Sequence, residues 1–173
     1  MIYDGFVHVR WTALAVIVAL LAGCAMRGPI EQRTTQGPSA QQLWAWRMKA
    51  QLGRDPNFDE RRHFDDQLEL RISHYLDHHP EDANALSVST FRFERRVSVG
   101  MSQEQVAILL GPPTARTKDT EDLQKQARKF WPDIQRLAQQ AWTYPLGWTL
   151  YFGDRERVVD ITQFYEPGEN DDR

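Results

Sequence analysis

Between Trp142 and Ile161 the apolar residues stop recurring every third or fourth position and begin to alternate, and that change of period decides what kind of core this chain can build. Trp142 and Tyr144 alternate with small or polar neighbours, Trp148, Leu150 and Phe152 share one face of a second strand, and Val159 and Ile161 share one face of a third. Pro145-Leu146-Gly147 and Gly153-Asp154-Arg155 supply the turns. A three-stranded antiparallel meander with one aromatic face has to cover that face, and the helical segments upstream are available for it. The expected fold class is α+β: helices packed on a small three-stranded antiparallel sheet, with an N-terminal helical extension and a helical insertion.

The helices are marked by their caps. Ala40 to Leu52 reads as a helix opened by Ser39 and stopped by Gly53, with Leu43, Trp44, Met48 and Leu52 along one side. A second runs from about Asp59 to His79, where Phe64, Leu68, Ile72, Tyr75 and Leu76 keep the helical interval and Pro80 closes it. Asp82 to Arg96 is read as helix, although Val88, Phe91 and Phe93 also suit a strand; residues 40–96 then form the helical extension. Ser102 and Gln105 make a capping box for a short helix whose apolar side is Val106, Leu109 and Leu110. Gly111 supplies its left-handed stop and Pro112-Pro113 prevent continuation. Residues 114–141 read as an insertion in which Leu123, Ala127, Phe130 or Trp131, Ile134 and Leu137 share a side, with a kink or a break into two helices at Pro132. A surface insertion costs little to shorten, because loop-closure entropy changes slowly with length, but its apolar side has to be buried on the body.

The chain has a single cysteine, and it follows an apolar run from Trp11 to Leu21 and the small residues Ala22-Gly23. That run is too short to cross roughly 30 Å of hydrocarbon, but it has the length of a signal-peptide core. The arrangement is similar to a bacterial lipoprotein signal: residues 1–23 as leader, cleavage before Cys24, and acylation of its sulfur and new amino terminus by palmitate-type chains. Two or three such chains make release from a membrane negligible. In signals of this kind an Asp directly after the cysteine retains the protein at the inner membrane; Ala25 in that place implies a periplasm-facing position on the outer membrane. With Cys24 consumed, no disulfide is available to staple the fold. Residues 24–39, punctuated by Gly28-Pro29 and Gly37-Pro38, read as a flexible tether, and 168–173 as a disordered tail.

Composition narrows the function. A charged fraction of 26% and a formal charge of −3 describe an ordinary water-exposed surface without the basic stripe that nucleic acid requires. His74 and His78 lie four apart, with His63, Asp77 and His79 nearby, yet there is no HExxH, no cysteine ligand and no third ligand at a diagnostic spacing, so no metal site is assigned. No serine signature appears, and Asp59, Glu60, Asp65 and Asp66 read as a solvated helix flank. The expectation is a non-enzymatic protein with no catalytic residue, no cofactor and no small-molecule substrate. Trp142, Tyr144, Trp148 and Phe152 are read as core. Trp44 and Trp46 cannot both face one core, which leaves Trp46, with Phe130 and Trp131 of the insertion, as candidate partner-binding residues.

Three blocks then carry a resemblance. Val97-Ser98-Val99-Gly100-Met101-Ser102-Gln103-Glu104-Gln105-Val106, Leu109-Leu110-Gly111-Pro112-Pro113, and Trp142-Thr143-Tyr144 with Trp148 to Phe152 and Val158-Val159-Asp160-Ile161 resemble the SmpA/OmlA (BamE-like) family of outer-membrane lipoproteins. The resemblance covers Val97 to Tyr165, within an expected domain of residues 97–167, and implies two helices against three antiparallel strands. It also implies a lipid-anchored envelope protein that supports outer-membrane integrity or β-barrel protein assembly by binding other proteins. Residues 114–141 stand where that family has a short connection. An accessory lipoprotein of another envelope or secretion complex, and a metal-dependent periplasmic enzyme, are the alternatives.

Overall fold

The computed structural model describes residues 29–83, 85 and 88–166, so the leader, Cys24 and the expected tail lie outside the described residues. Along the chain run β1 (Ile30–Thr34), β2 (Gln36–Ser39), α1 (Ala40–Leu52), α2 (Phe58–His78), the one-turn α3 (Pro80–Ala83), a π turn (Thr90–Glu94) and β3 (Arg96–Ser98). Then follow α4 (Gln103–Leu110), β4 (Ala115–Thr117), α5 (Thr120–Ala127), a 3₁₀ turn (Arg128–Phe130), α6 (Trp131–Ile134), β5 (Gln140–Tyr144), β6 (Trp148–Phe152) and β7 (Val158–Tyr165). The class is α+β, but the sheet has five antiparallel strands in the order β1-β7-β6-β5-β4, with β2 and β3 forming a separate pair. The expected meander is its centre.

The two added strands come from places read as something else. Ile30 to Thr34 pairs with β7 from Ile30 opposite Tyr165 to Thr34 opposite Ile161, and Ala115 to Thr117 pairs with β5. Residues 30–39 are therefore sheet and not spacer. Polar composition hid this, because an edge strand contributes backbone hydrogen bonds more than apolar side chains. Gly37 and Pro38 are buried, and a Cβ on Gly37 would stand in ordinary contact, 3.5 Å from Leu150 and 3.6 Å from Ile161, so β2 lies against the sheet.

The caps hold where they were expected. Ser39 accepts from the Gln42 amide, Gly53 ends α1 at φ 68°, and Ser102 and Gln105 complete a reciprocal capping box. Asn57 and Glu60 form a second such box at the start of α2. Gly111 has φ 69° and ψ −162°, a region open to glycine almost alone. Among its described residues the Asp82–Arg96 stretch is helical in α3, at Val88 and Ser89 and in the π turn, and it ends in β3.

One cluster fills the space between the first sheet face and the helices: Leu43 of α1, Leu68, Ile72 and Leu76 of α2, Val106, Leu109 and Leu110 of α4, against Trp142, Leu150, Phe152 and Ile161. A second cluster covers the other face, where Leu123, Ala127 and Ile134 meet Ala141 and Tyr151, with Phe130, Trp131 and Val159 packed at its margin. The expected common face of Val159 and Ile161 does not form. A bulge opposite Tyr151 and Phe152 turns Val158 to the first cluster with Ile161 and leaves Val159 on the second. Leu137 is exposed, because α6 ends at Ile134.

The turn between β5 and β6 has no room for a side chain at Gly147, where φ is 72° and a Cβ would stand 1.6 Å from the Phe164 carbonyl oxygen. Gly147→Ala is expected to lower stability by about 3 kcal/mol or more, since the hairpin must move. Gly53→Ala, with open space around it, should cost about 1 kcal/mol. Urea unfolding of the two variants checks this, and equal midpoints would show that the β5–β6 turn does not lie under β7.

Candidate functional site

Two constellations of polar side chains stand out, one on each side of the sheet. The first joins α2, α3, the start of α4 and the β6–β7 turn. Tyr75 donates its hydroxyl hydrogen to Asp82 Oδ2, and Arg157 donates to Asp82 Oδ1 at 3.3 Å and to the Gly100 carbonyl at 2.9 Å. Ser102 Oγ lies 3.5 Å from the Tyr75 hydroxyl, and the Tyr75 ring stacks on His79 at 4.3 Å. Asp82 is 6% exposed, so its charge is sustained by these donors. The loop they fix carries the Gly100-Met101-Ser102 motif, whose buried Met101 exchanges backbone bonds with β7: its carbonyl accepts from Val158, and Gly100 donates to the Val158 carbonyl.

His79, Glu81 and Asp82 place one ligand atom each within 4.8 Å of one another, and Glu104 lies 3.8 Å from His79. This is not the His74/His78 pair that spacing singled out. His78 Nδ1 donates to the His74 carbonyl at 2.7 Å, which removes one ring nitrogen from any ligand role. Both Asp82 oxygens at the new trio are held by Tyr75 and Arg157, and a guanidinium beside them opposes a second cation. The arrangement works as a clamp.

The second constellation lies under the insertion. Pro132 would drive its ring into the carbonyl of the residue four places earlier in a continuous helix, and that residue is Arg128. The break accordingly falls at Arg128, with φ 48° and ψ −125°, while Pro132 sits in the first turn of α6. The Arg128 guanidinium lies over the Phe164 ring at 4.4 Å. Beside it Lys129 pairs with Glu31 at 3.3 Å, and Arg33 of β1 bridges Asp160 of β7 at 2.7 Å and Asp133 of α6 at 3.0 Å. A cavity of about 290 Å³ opens between α5 and the sheet, lined among others by Lys125, Gln126, Arg128, Thr143, Thr149 and Phe164.

The residues singled out in the sequence are scattered over these features. Trp44 stacks on Phe64 at 4.5 Å, which leaves Trp46 half-buried on another side of α1. Phe130 and Trp131 are partly buried against the second cluster, and Phe130 lies 6.2 Å from Phe164. Cys24 lies outside the described residues. Arg128, Asp82 and Arg157 were not singled out. Only Pro132, four residues on, signalled the first of them. Comparison with protein-family models, curated proteins and solved structures finds no match for this chain.

Burial and the hydrogen bond to Asp82 push the Tyr75 hydroxyl up to about 12, and burial pushes Tyr151 to about 12 and Tyr144 higher still. A raised folded value favours the protonated hydroxyl, so this stabilisation is complete below the unfolded value of about 10 and is lost as pH rises towards 12. Alkaline titration of phenolate absorbance should show these three tyrosines ionising only as the fold is lost. Tyr75→Phe should cost about 1–3 kcal/mol by leaving Asp82 short of a donor. A free-running titration near pH 10 would refute the network.

Proposed function

We propose that the protein is a lipid-anchored envelope protein, held on the periplasmic side of the outer membrane by acylated Cys24, that supports outer-membrane integrity or β-barrel protein assembly by binding other proteins. The observation that carries this reading is the pairing of β1 with β7. It brings the folded body to within five residues of Cys24, at most about 18 Å of extended chain. Acyl chains at Cys24 would thus restrain the sheet itself at the bilayer and present its neighbouring surfaces to membrane-embedded partners. Phe58 and Phe93, each 75% exposed, are large apolar side chains on the helical side that suit contact with protein.

The family resemblance adds support, since the positions that carry it lie in core elements of this chain. Gly100 to Ser102 docks on β7. Arg47 of α1 donates to the carbonyls of Leu110 and Pro112, and the Tyr144 hydroxyl donates to the Gly111 carbonyl at 3.2 Å, which clamps the Leu-Gly-Pro turn. The insertion is a structural layer as well as a surface. Removing α5 and α6 would expose Ala141 and Tyr151, so its role is better tested by substituting exposed positions than by deletion.

Cys24→Ser should abolish acylation and move the protein from the detergent phase to the aqueous phase, or leave it as precursor. In intact cells the same variant should lose crosslinks to outer-membrane proteins that the parent forms from Phe93. Unchanged detergent partitioning of Cys24→Ser would overturn the anchor, and crosslinks that persist without it would overturn the role of the anchor in partner binding.

A further inference from the structure

We propose that the cavity beside Arg128 binds a small carboxylate carrying a hydrogen-bond donor on the adjacent atom, as an N-acylated amino acid does, with Arg128 as its anion-binding residue. The site does not depend on acylation of Cys24. Three separate observations meet there.

The first is backbone strain. Pro132 disfavours a regular helix running on through residue 128, and glycine would leave it freely, yet an arginine occupies φ 48° and ψ −125°. Non-glycine residues in such sparsely populated regions are held against a conformational cost, and they cluster at binding and catalytic sites. The second is the state of the side chain. Lys125 pairs with Asp122 at 3.8 Å and Lys129 with Glu31 at 3.3 Å, whereas among the described residues Arg128 has no carboxylate within ion-pair distance. Its guanidinium is stacked on Phe164 at 4.4 Å, which orients the planar fork and leaves its edge donors for a ligand. The third is an acceptor without a donor: Gln126 Oε1 is buried with no hydrogen-bond partner among the described residues. A buried orphan acceptor is costly until something donates to it.

Gln126 and Arg128 line the same cavity, together with Lys125, Thr143, Thr149 and Phe164. Two cations and no acidic residue line it, so it suits an anion. The free acceptor asks in addition for a donor close to the charge. A planar carboxylate matches the arginine fork in two parallel bonds, an amide N–H one atom away can serve Gln126, and the Phe164 ring offers an apolar wall. At about 290 Å³ the space sits at the small end of ligand sites, which suits a small occupant such as a single acylated residue.

Calorimetric titration of the full chain in detergent with N-acetylalanine, its neutral methylamide, propionate and inorganic phosphate tests the site. N-acetylalanine should bind saturably and about tenfold or more tighter than the other three, since the methylamide lacks the charge and propionate lacks the donor. Arg128→Gly removes both the strain and the fork, and should raise the thermal midpoint while weakening N-acetylalanine at least about tenfold. A merely structural arginine would show the reverse, a lower midpoint with unchanged binding. Gln126→Leu should keep the fold and abolish the preference for N-acetylalanine over propionate. Absence of saturable binding, equal binding of the methylamide or of phosphate, or unchanged affinity in both variants would each overturn the proposal.

Discussion

All five residues of β6 are buried. A strand with no solvent side has to be paired along both edges and covered on both faces, and those demands organise most of the chain. β5 and β7 take the edges, and β1 and β4 extend the sheet beyond them. Trp148, Leu150 and Phe152 send one face into the helical cluster, while Tyr151 sends the other under α5 and α6. Tyr151 reaches the Thr162 hydroxyl at 3.3 Å, so its polar end is satisfied within the sheet even where no water can reach. A cover on one face alone would leave Tyr151 and Val159 in water. The insertion is therefore the fourth wall of the core, and its aromatic residues are committed first to that task.

Local chemistry was legible wherever a motif has one solution. The Ser102–Gln105 box, the Gly53 and Gly111 stops and the β5–β6 turn formed as their residues require, because caps and positive φ are decided within a few positions. Tertiary pairing was not. Ile30-Glu31-Gln32-Arg33-Thr34 carries one apolar residue, and only β7 as a neighbour makes it a strand. The three residues of β4 are too few to show a period at all. Val159 changed faces because a bulge shifts the parity of a strand by one residue, and a period-two reading has no means of seeing the extra residue. In the candidate site, charge pattern alone could not tell that Lys129 is paired with an acid and Arg128, among the described residues, is not, since Glu31 and Lys129 are 98 positions apart and meet only through the fold.

The first strand is also where the electrostatics concentrate. Arg33 holds Asp160, which is 5% exposed, and reaches Asp133 on α6, so one guanidinium ties the amino-terminal strand, the last strand and the insertion together. A buried carboxylate beside a removed partner is expensive, which makes this the point where β1 is fastened most firmly. Any force applied to the chain just before Pro29 would be carried into β7 and the insertion through the same residue. If the chain is anchored at Cys24 as proposed, the attachment point and the surface around Arg128 would move as one body.

Pro132 and Arg128 show how one covalent constraint can create a site. The ring of a proline forbids the helical carbonyl four residues back, so the amphipathic run of the insertion cannot continue over the sheet as one rod. It breaks over Phe164, drops Ile134 and Leu123 into the second cluster from two short helices, and leaves a cavity under the break. Any residue could have followed Ala127, and glycine would have cost least. An arginine there spends conformational free energy to hold a planar cation on an aromatic face at the mouth of that cavity. The fold explains why a break is needed at this position; it does not require the guanidinium, and the need for that lies in what the cavity receives.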